Sequence, residues 1–407
     1  MRRALVLVRN TVSHDSRVLR EARVLRDLGF DVLVAGVVSQ QERETELDID
    51  GIRVVRLLGP LQLLRRLMRR GSIAGSVTAA NETIPAARTT REGRLRRLLV
   101  TLAFNAQGAA LAWRTSPALV HANDYDTMWI GLAAKLLRRS RVVYDAHELW
   151  PDRNGRPEWR PRLIATESLF VRLADAMTTV SPGCAEVMAR RYRIPPPVVV
   201  RNVPERPTRH EAPRPHDPPV AVYVGVLAPG RGIEQAVEAL AAVPNLRLRL
   251  IGPASQGFAT QVAQHAEARG VANRVETRPP VDPDRVPAAI ADAAMGLVLI
   301  QPTSLSHRLS LPNKLFEYVV AGLPVVASDL PVMGPLVRDE GIGEVVPPAD
   351  VDALAAAMQR LADPARNSAA RERVRSLGER VNWQQERRVL EDVYRGALER
   401  RPATAAS

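Results

Sequence analysis

The sequence predicts an α/β protein made of two doubly wound halves, each built on a parallel β-sheet. At 407 residues the chain is too long for one ordinary core and suits two domains. Near its start an apolar run (residues 3–8), a helix from Arg17 to Leu28 and a strand from Asp31 to Val38 follow in strand–helix–strand order. After a proline-rich stretch at residues 204–219 the same alternation begins again.

The first strand leads into a polar turn instead of the GxGxxG turn that marks a dinucleotide site. Asn10, His14, Asp15 and Arg17 occupy this turn and the start of the following helix. In a doubly wound sheet the carboxyl ends of the strands converge on the ligand crevice, so these four side chains are expected there.

Two later strands also end in histidines and carboxylates. The segment ALVHANDYD carries His121 and Asp124, and RVVYDAHELWPD carries Asp145, His147 and Glu148. A single histidine is more often structural than functional, and that alternative holds for His121. Three strand ends that agree favour a site at the crevice. No HExxH spacing occurs and the cysteines of a structural zinc site are missing, so no metal is predicted.

In the second half, two segments suit a phosphorylated ligand. Gly230, Arg231 and Gly232 form a turn between a strand and a helix, where backbone N–H groups and a guanidinium can bind phosphate. Further on, Lys314 and Glu317 lie in a short helix that we expect to be capped by Ser310, with Pro312 in its first turn and Gly322 at its end. The cation can meet a phosphate and the carboxylate two ribose hydroxyls. The alternative is a plain surface Lys–Glu pair, and the residues alone favour neither.

At the C-terminal end, Asp350 is expected to cap a helix from Val351 to Leu361. The tail from Arg371 to Arg400 is predicted as helix.

Charge and cysteine content limit the function classes only weakly. The formal net charge of +13 is almost all arginine, since Lys135 and Lys314 are the only lysines, and an arginine-rich composition can reflect coding bias. Cys184 is the only cysteine, so no intramolecular disulfide can form and a reducing, cytoplasmic setting is expected. The N-terminus predicts a strand rather than a signal peptide, and residues 98–113 are too few for a membrane-spanning helix.

One segment points to a membrane surface. Between Leu61 and Val100, nine arginines and two glutamates alternate with aliphatic residues, which predicts helices with one basic and one apolar face. Such helices often lie on anionic bilayers. Packed helices with solvated arginines are the equally acceptable alternative.

Taken together, these segments resemble the two-domain GT-B glycosyltransferases, specifically the retaining family 4 (group 1) type, over nearly the whole chain. The resemblance rests on five motifs in the family's order, namely HDSRVLREA, VYDAHELWP, RNVP, GVLAPGRG and PNKLFEYVVAGLPVVAS. It implies two Rossmann-like domains that face each other across a cleft. The boundaries expected are 1–203 for an N-terminal acceptor-side domain, 204–219 for a linker, 220–375 for a nucleotide-sugar domain, and 376–407 for a C-terminal helix packing back toward the N-terminal domain.

The resemblance also implies roles for single residues. Arg231 and Lys314 match the cations that neutralise the leaving diphosphate, with Gly230, Gly232 and Asn313 beside them at the donor. Glu317 matches the ribose-binding acid, and His147 matches a histidine beside the donor sugar. The turn and strand-end residues Asn10, His14, Asp15, Arg17, His121, Asp124, Asp145 and Glu148 are then on the acceptor side.

From these roles we expect a transferase that moves a sugar from a UDP- or GDP-sugar to a glycan or lipid-linked acceptor, in cell-surface polysaccharide or glycolipid assembly. The resemblance implies retention, domain closure, and no metal or cofactor. The expected partners are the donor, the acceptor and an anionic membrane surface, with no nucleic acid. The protein is expected in the cytoplasm, peripheral on the inner face of the membrane.

Two positions depart from the family pattern. Leu309 stands where the family places a sugar-contacting acid eight residues before the ribose acid, and Val226 stands where many members place a second diphosphate arginine. These departures keep two alternatives open, a GT-B sugar-nucleotide epimerase and a catalytically inactive binding module.

Overall fold

The computed structural model describes residues 1–39, 42–59, 91–153, 159–206, 217–255 and 257–399, without the side chains of 91–97. It confirms the predicted α/β class, because helices alternate with the strands of two largely parallel sheets. The basic segment from residue 60 to 90 and the linker core at 207–216, on which two predictions rest, lie outside the described residues.

The first sheet has eight strands in the order β3-β4-β2-β1-β5-β6-β7-β8. The hairpin of β3 and β4 is antiparallel, whereas the pairs β1–β2, β1–β5, β2–β4, β5–β6 and β7–β8 are parallel. The strands are β1 (Arg3–Leu7), β2 (Asp31–Val37), β3 (Glu46–Ile49), β4 (Ile52–Leu57), β5 (Leu119–Asn123), β6 (Arg141–Ala146), β7 (Ala176–Thr179) and β8 (Val198–Val199). The helices between them are α1 (Ser16–Asp27), α2 (Arg91–Thr115), α3 (Met128–Arg138), α4 (Arg160–Leu173) and α5 (Pro182–Tyr192).

The second sheet has six strands in the order β11-β10-β9-β12-β13-β14, all paired in parallel. Its strands are β9 (Val220–Val224), β10 (Arg247–Ile251), β11 (Val275–Arg278), β12 (Met295–Val298), β13 (Val325–Ser328) and β14 (Gly343–Val346). Its helices are α6 (Ile233–Leu240), α7 (Phe258–Ala268), α8 (Val286–Ile290), α9 (Leu305–Leu309), α10 (Asn313–Val320), α11 (Met333–Glu340), α12 (Val351–Ala362), α13 (Pro364–Arg380) and α14 (Trp383–Glu399).

The strand registers show where the carboxyl ends of the strands lie in each sheet. In the first sheet, Leu7 of β1 pairs with Ala122 of β5, and Asn123 pairs with Asp145 of β6, so three carboxyl ends meet at one edge. In the second sheet, the strands β9 and β12 are neighbours. Their carboxyl ends lead into the glycine turn and into the segment that carries α9. The strands β9, β12 and β13 are buried along their whole length, which explains why their sequences are nearly continuous apolar runs.

The chain divides into two compact units. The first consists of Met1–Asp145, Phe170–Met177 and the residues from Tyr394 onward, and the second of Ala146–Leu169 and Thr178–Val393. The domain boundaries inferred from the sequence stay a prediction.

Most predicted elements are confirmed to within a residue or two, and two details are wrong. Ser310 does not cap the helix of Lys314. It ends α9, donates its hydroxyl to His307 O at 3.0 Å, and α10 begins after Pro312, which has extended φ and ψ of −72° and 148°. Proline also disfavours helical backbone in the residue before it, so the helix cannot start earlier. The tail forms two helices instead of one, broken at Val381 and Asn382.

Within the described residues, no helix combines the length and the apolar character that crossing a bilayer requires.

Candidate functional site

The helix α10 presents Lys314 at the carboxyl-end side of the second sheet. Pro312 immediately precedes the helix, and Gly322 follows its end with a positive φ of 72°, a conformation that suits glycine. Tyr318 fixes the helix on the sheet, because its hydroxyl accepts from Val224 N at 3.1 Å and donates to Val222 O at 3.2 Å. Lys314 therefore occupies a defined place next to the end of β9.

Lys314 is a buried cation, with only 9% of its surface exposed. Its ammonium lies 3.5 Å from the ring centroid of Tyr223, in a cation–π contact, and 3.5 Å from where a Cβ on Gly225 would lie. No ion pair within the described part of the chain holds this ammonium.

The electrostatics of Lys314 follow from that environment. Burial, and then repulsion from Arg231, lower the pKa of Lys314 well below its ordinary value of 10.5, and attraction from Glu317 offsets this only in part. Burial also raises the pKa of Tyr223 to about 12, against the opposing charge of Arg231. Lys314 and Arg231 thus create a strongly positive place that a ligand anion would stabilise.

The glycine turn that carries Arg231 depends on its glycines. Gly230 and Gly232 have φ of 79° and 75°, in the left-handed region. A Cβ on Gly232 would also lie 2.4 Å from Leu299 O, so no larger residue fits there without movement of the backbone. Helix α6 begins directly after this turn, and Arg231 is half-buried beside it.

The remaining donor-side residues have different surroundings. Glu317 is half-buried on α10, one turn after Lys314, and Asn313 is exposed at the start of that helix. Val226 has 52% of its surface exposed, and its carbonyl accepts from the Tyr223 hydroxyl at 3.0 Å. Leu309 accepts through its carbonyl from Ser181 Oγ at 2.7 Å.

In the first unit, several predicted crevice residues form a buried ionic cluster. Arg17 bonds both carboxylate oxygens of Asp145, at 2.8 and 3.0 Å, and lies 3.0 Å from Glu21. The Nε2 of His121 lies 3.2 Å from Glu21, and its Nδ1 shares a 3.0 Å hydrogen bond with the hydroxyl of Tyr394. We refer to Arg17, Glu21, His121, Asp145 and Tyr394 as the buried ionic cluster.

Charge balance explains the pKa values in this cluster. Burial lowers the pKa of His121, but attraction from Glu21 and hydrogen bonding to Asp145 outweigh it, so this pKa rises to about 9. The same carboxylates outweigh the burial of Arg17 and raise its pKa. Two cations therefore face two carboxylates. Glu21 and Asp145 are of a type that ligates metals, but here they are committed to Arg17 and His121.

Elsewhere the predicted crevice residues have local roles or lie near the surface. Asp15 caps α1 by accepting from Val18 N at 3.2 Å, and Asn10 donates to Asp15 at 2.7 Å. His14 is exposed. Asp124 has a φ of 63° and precedes a short 3₁₀ turn. His147 and Glu148, both half-buried, follow β6 directly.

Sequence reasoning missed three side chains that the structure places at these candidate sites. Glu21 was foreseeable, since it lies four residues after Arg17 on the same helix. Tyr223 and His307 carried no signal in the sequence, because an aromatic residue in a strand and a histidine in a loop have many uses.

Two family models match the chain, one in each half. "Glycosyl transferase 4-like domain" matches residues 15–204, and "Glycosyl transferases group 1" matches residues 205–377. No curated protein matches the sequence significantly.

Solved structures share the fold over almost the whole length. Sucrose-phosphate synthase from Thermosynechococcus elongatus is similar with a TM-score of 0.70 and 20% identity, over 97% of this chain and 98% of that one. HepE from Anabaena, in complex with UDP-glucose, has a TM-score of 0.69 and 15% identity, over 97% and 100%. The lipopolysaccharide outer core galactosyltransferase WaaB has a TM-score of 0.62 and 15% identity, over 97% and 99%.

At these identities the structural likeness establishes the fold alone, and the paired family models establish the family. The chain belongs to the group 1 glycosyltransferases, transferase enzymes with the GT-B fold of two Rossmann-like domains.

Proposed function

We propose that the protein transfers a glycosyl group from a nucleoside diphosphate sugar to a hydroxyl of a glycan or lipid-linked acceptor. The bond between the anomeric carbon and the phosphate oxygen breaks, and a bond to the acceptor oxygen forms. The products are the glycosylated acceptor, the nucleoside diphosphate and one proton. We place the reaction in cell-surface polysaccharide or glycolipid assembly.

Lys314 carries this proposal. A buried ammonium with a lowered pKa costs folding free energy, and a folded protein retains such a group where it binds something of opposite charge. A diphosphate suits it, because Arg231 lies within electrostatic reach and the N-terminus of α6 follows directly. As the donor breaks, negative charge grows on the diphosphate, and both cations stabilise it.

Glu317 is assigned to the ribose of the same ligand. It lies on α10 beside Lys314, and a carboxylate can accept hydrogen bonds from two vicinal hydroxyls. A uridine donor is favoured over a guanosine donor, because the structure of HepE, which this chain resembles, holds UDP-glucose.

We further propose that the reaction retains anomeric configuration and needs no metal ion. The acceptor attacks on the face of the leaving group, and the departing phosphate oxygen takes the acceptor's proton. The resemblance to the family implies that His147 lies near the donor sugar, so we assign it a contact to the sugar in this step.

The acceptor is assigned to a membrane-adjacent glycan on the basis of helix α2. Its solvent-facing side carries Leu98, Leu102 and Trp113, with 54%, 56% and 49% of their surfaces exposed. In the sequence, arginines occur near both ends of this helix, as in helices that lie on anionic bilayers. Vesicle sedimentation tests this part. Leu102→Glu should weaken binding to anionic vesicles at low salt, and a wild-type protein that stays in the supernatant would refute it.

A nucleotide panel tests the donor. UDP or GDP should raise the melting temperature of the wild type, and the matching nucleotide sugars incubated with acceptor extracts should give a product heavier by one sugar residue. Conversion of a UDP-sugar to its isomer without any acceptor would show an epimerase. Tight binding without turnover across acceptors would show an inactive module, to which Leu309 and Val226 point. EDTA should leave turnover unchanged.

A further inference from the structure

Leu309 stands at the position of the family's sugar-contacting acid. Within the second unit it packs against the start of α5. Its carbonyl accepts from Ser181 Oγ at 2.7 Å. Its side chain reaches Gly183 so closely that a Cβ there would lie 3.2 Å from Leu309 Cδ2. The leucine therefore anchors α9 on the start of α5, and the sugar must be contacted by another group.

The same turn of chain fixes a histidine in a defined orientation. Ser304 caps α9 by accepting from His307 N at 3.1 Å. The Nδ1 of His307 shares a 2.9 Å hydrogen bond with Thr303 Oγ1, and the ring also hydrogen-bonds to the backbone of Gln301, so its orientation is defined. Next to it, Ser306 donates to Glu148 at 3.4 Å.

This histidine lies beside the proposed diphosphate site. The N–H of Gln301 donates to Gly230 O at 3.1 Å, which ties the segment before α9 to the turn of Arg231. Burial, and then the charge of Arg231, lower the pKa of His307 below its ordinary value of 6.5, which favours the uncharged form of the ring. An uncharged imidazole can donate to or accept from a hydroxyl without competing with Arg231 for the phosphates.

We propose that His307 reads a hydroxyl of the donor sugar, in place of the missing acid, and that Thr303 positions its ring. The assignment rests on the proposed function, because it places the sugar where a ligand held by Arg231 and Lys314 would project it. The sugar is joined directly to the distal phosphate, so a side chain next to the Arg231 turn is close enough to contact it.

The test compares nucleotide with nucleotide sugar, using UDP and UDP-glucose, or GDP and GDP-mannose if the panel selects guanosine. His307→Ala should leave UDP affinity within about twofold and weaken UDP-glucose binding by about 2- to 10-fold, the effect of one net hydrogen bond. Thr303→Val should act in the same direction with a smaller effect. His307→Gln should recover part of the loss. His265→Ala, on α7 of the same unit, is the matched control and should change neither affinity.

Deoxy analogues of the sugar identify the hydroxyl. One analogue should bind the wild type as weakly as UDP-glucose binds His307→Ala, and the two losses should not add when combined. If the ratio of UDP-glucose to UDP affinity is the same in wild type and His307→Ala, or if the losses add for every analogue, the role of His307 is refuted while the donor site stands. If no nucleotide binds the wild type, the proposed function fails and this inference with it.

Discussion

Lys314→Met should make the ligand-free protein more stable and at the same time weaken its binding to UDP. The two effects have one cause. The ammonium is 9% exposed, its pKa is lowered by burial and by Arg231, and in the described residues it meets an aromatic ring instead of a carboxylate. A group that destabilises the fold and strengthens the binding of an anion belongs to a site, whereas a structural lysine would do the reverse.

The size of each effect follows from ordinary magnitudes. Replacing a buried charge with an apolar residue of similar volume stabilises by about 1–4 kcal/mol, and losing the contact with Tyr223 costs about 0.5–2 kcal/mol. The net gain of roughly 1–2 kcal/mol should raise the melting temperature of the unit by about 2–8 °C. Losing a charge-assisted contact to the diphosphate, at about 1.5–3 kcal/mol, should weaken UDP binding by about 10- to 150-fold.

The chain supplies its own control, because Lys135 is its only other lysine. Lys135 pairs with Asp175 at 2.5 Å in the first unit. Lys135→Met should lower the melting temperature and leave UDP affinity unchanged. Thermal unfolding and calorimetric titration of the three proteins give both quantities. A Lys314→Met protein that is less stable than wild type yet binds UDP normally would refute the reasoning.

Three further outcomes are expected. At alkaline pH, UDP binding should take up protons in the wild type, because burial and Arg231 lower the pKa of free Lys314 and a bound anion raises it. Calorimetry in buffers of different ionisation enthalpy should show no such uptake in Lys314→Met. Glu317→Gln should weaken UDP binding by about 10- to 100-fold and leave pyrophosphate binding nearly unchanged, since only UDP carries the ribose. Equal losses of affinity for both ligands would contradict the proposed contact of Glu317 with the ribose. The stability of the first unit should fall as pH rises from 6.5 to about 9, because folding raises the pKa of His121 to about 9. Protonated His121 adds up to about 3 kcal/mol to the free energy of unfolding, and this contribution is complete below pH 6.5 and lost above about pH 9. Denaturant unfolding across this range should show the slope in wild type and a flatter profile in His121→Gln.

The fold was predictable because its signals are local and repeated. Apolar runs of five or so residues, such as the one at residues 3–8, alternate with helices, and each repeat supports the same parallel arrangement of strands. Asp350 was likewise expected to cap its helix, and its side chain accepts from Ala353 N at 2.9 Å. A cap of this kind depends only on the nearest residues, so the sequence determines it.

The candidate site was predictable in position but not in environment. The strand-end rule brings His121 and Asp145 to one edge of the sheet, and their side chains lie 3.7 Å apart. Their role at a ligand crevice stays a prediction. The rule is silent on burial, which depends on what covers the strand ends. Tyr394 lies 273 residues after His121 and contacts its ring, and no local pattern can reveal a contact of that range.

Arg17 and Lys314 show most clearly what separates a structural cation from a binding one. In the sequence they are nearly equivalent, since each lies in the first turn of a helix and precedes a glutamate, Glu21 at four residues and Glu317 at three. In the fold both are buried, but Arg17 meets two carboxylates and its pKa rises, whereas the attraction of Glu317 does not compensate Lys314 and its pKa falls. The balance of charge around Arg17 is complete within the protein. Around Lys314 and Arg231 the described residues supply no such balance, and that difference, visible only in three dimensions, is what supports the proposal that Lys314 binds the donor diphosphate.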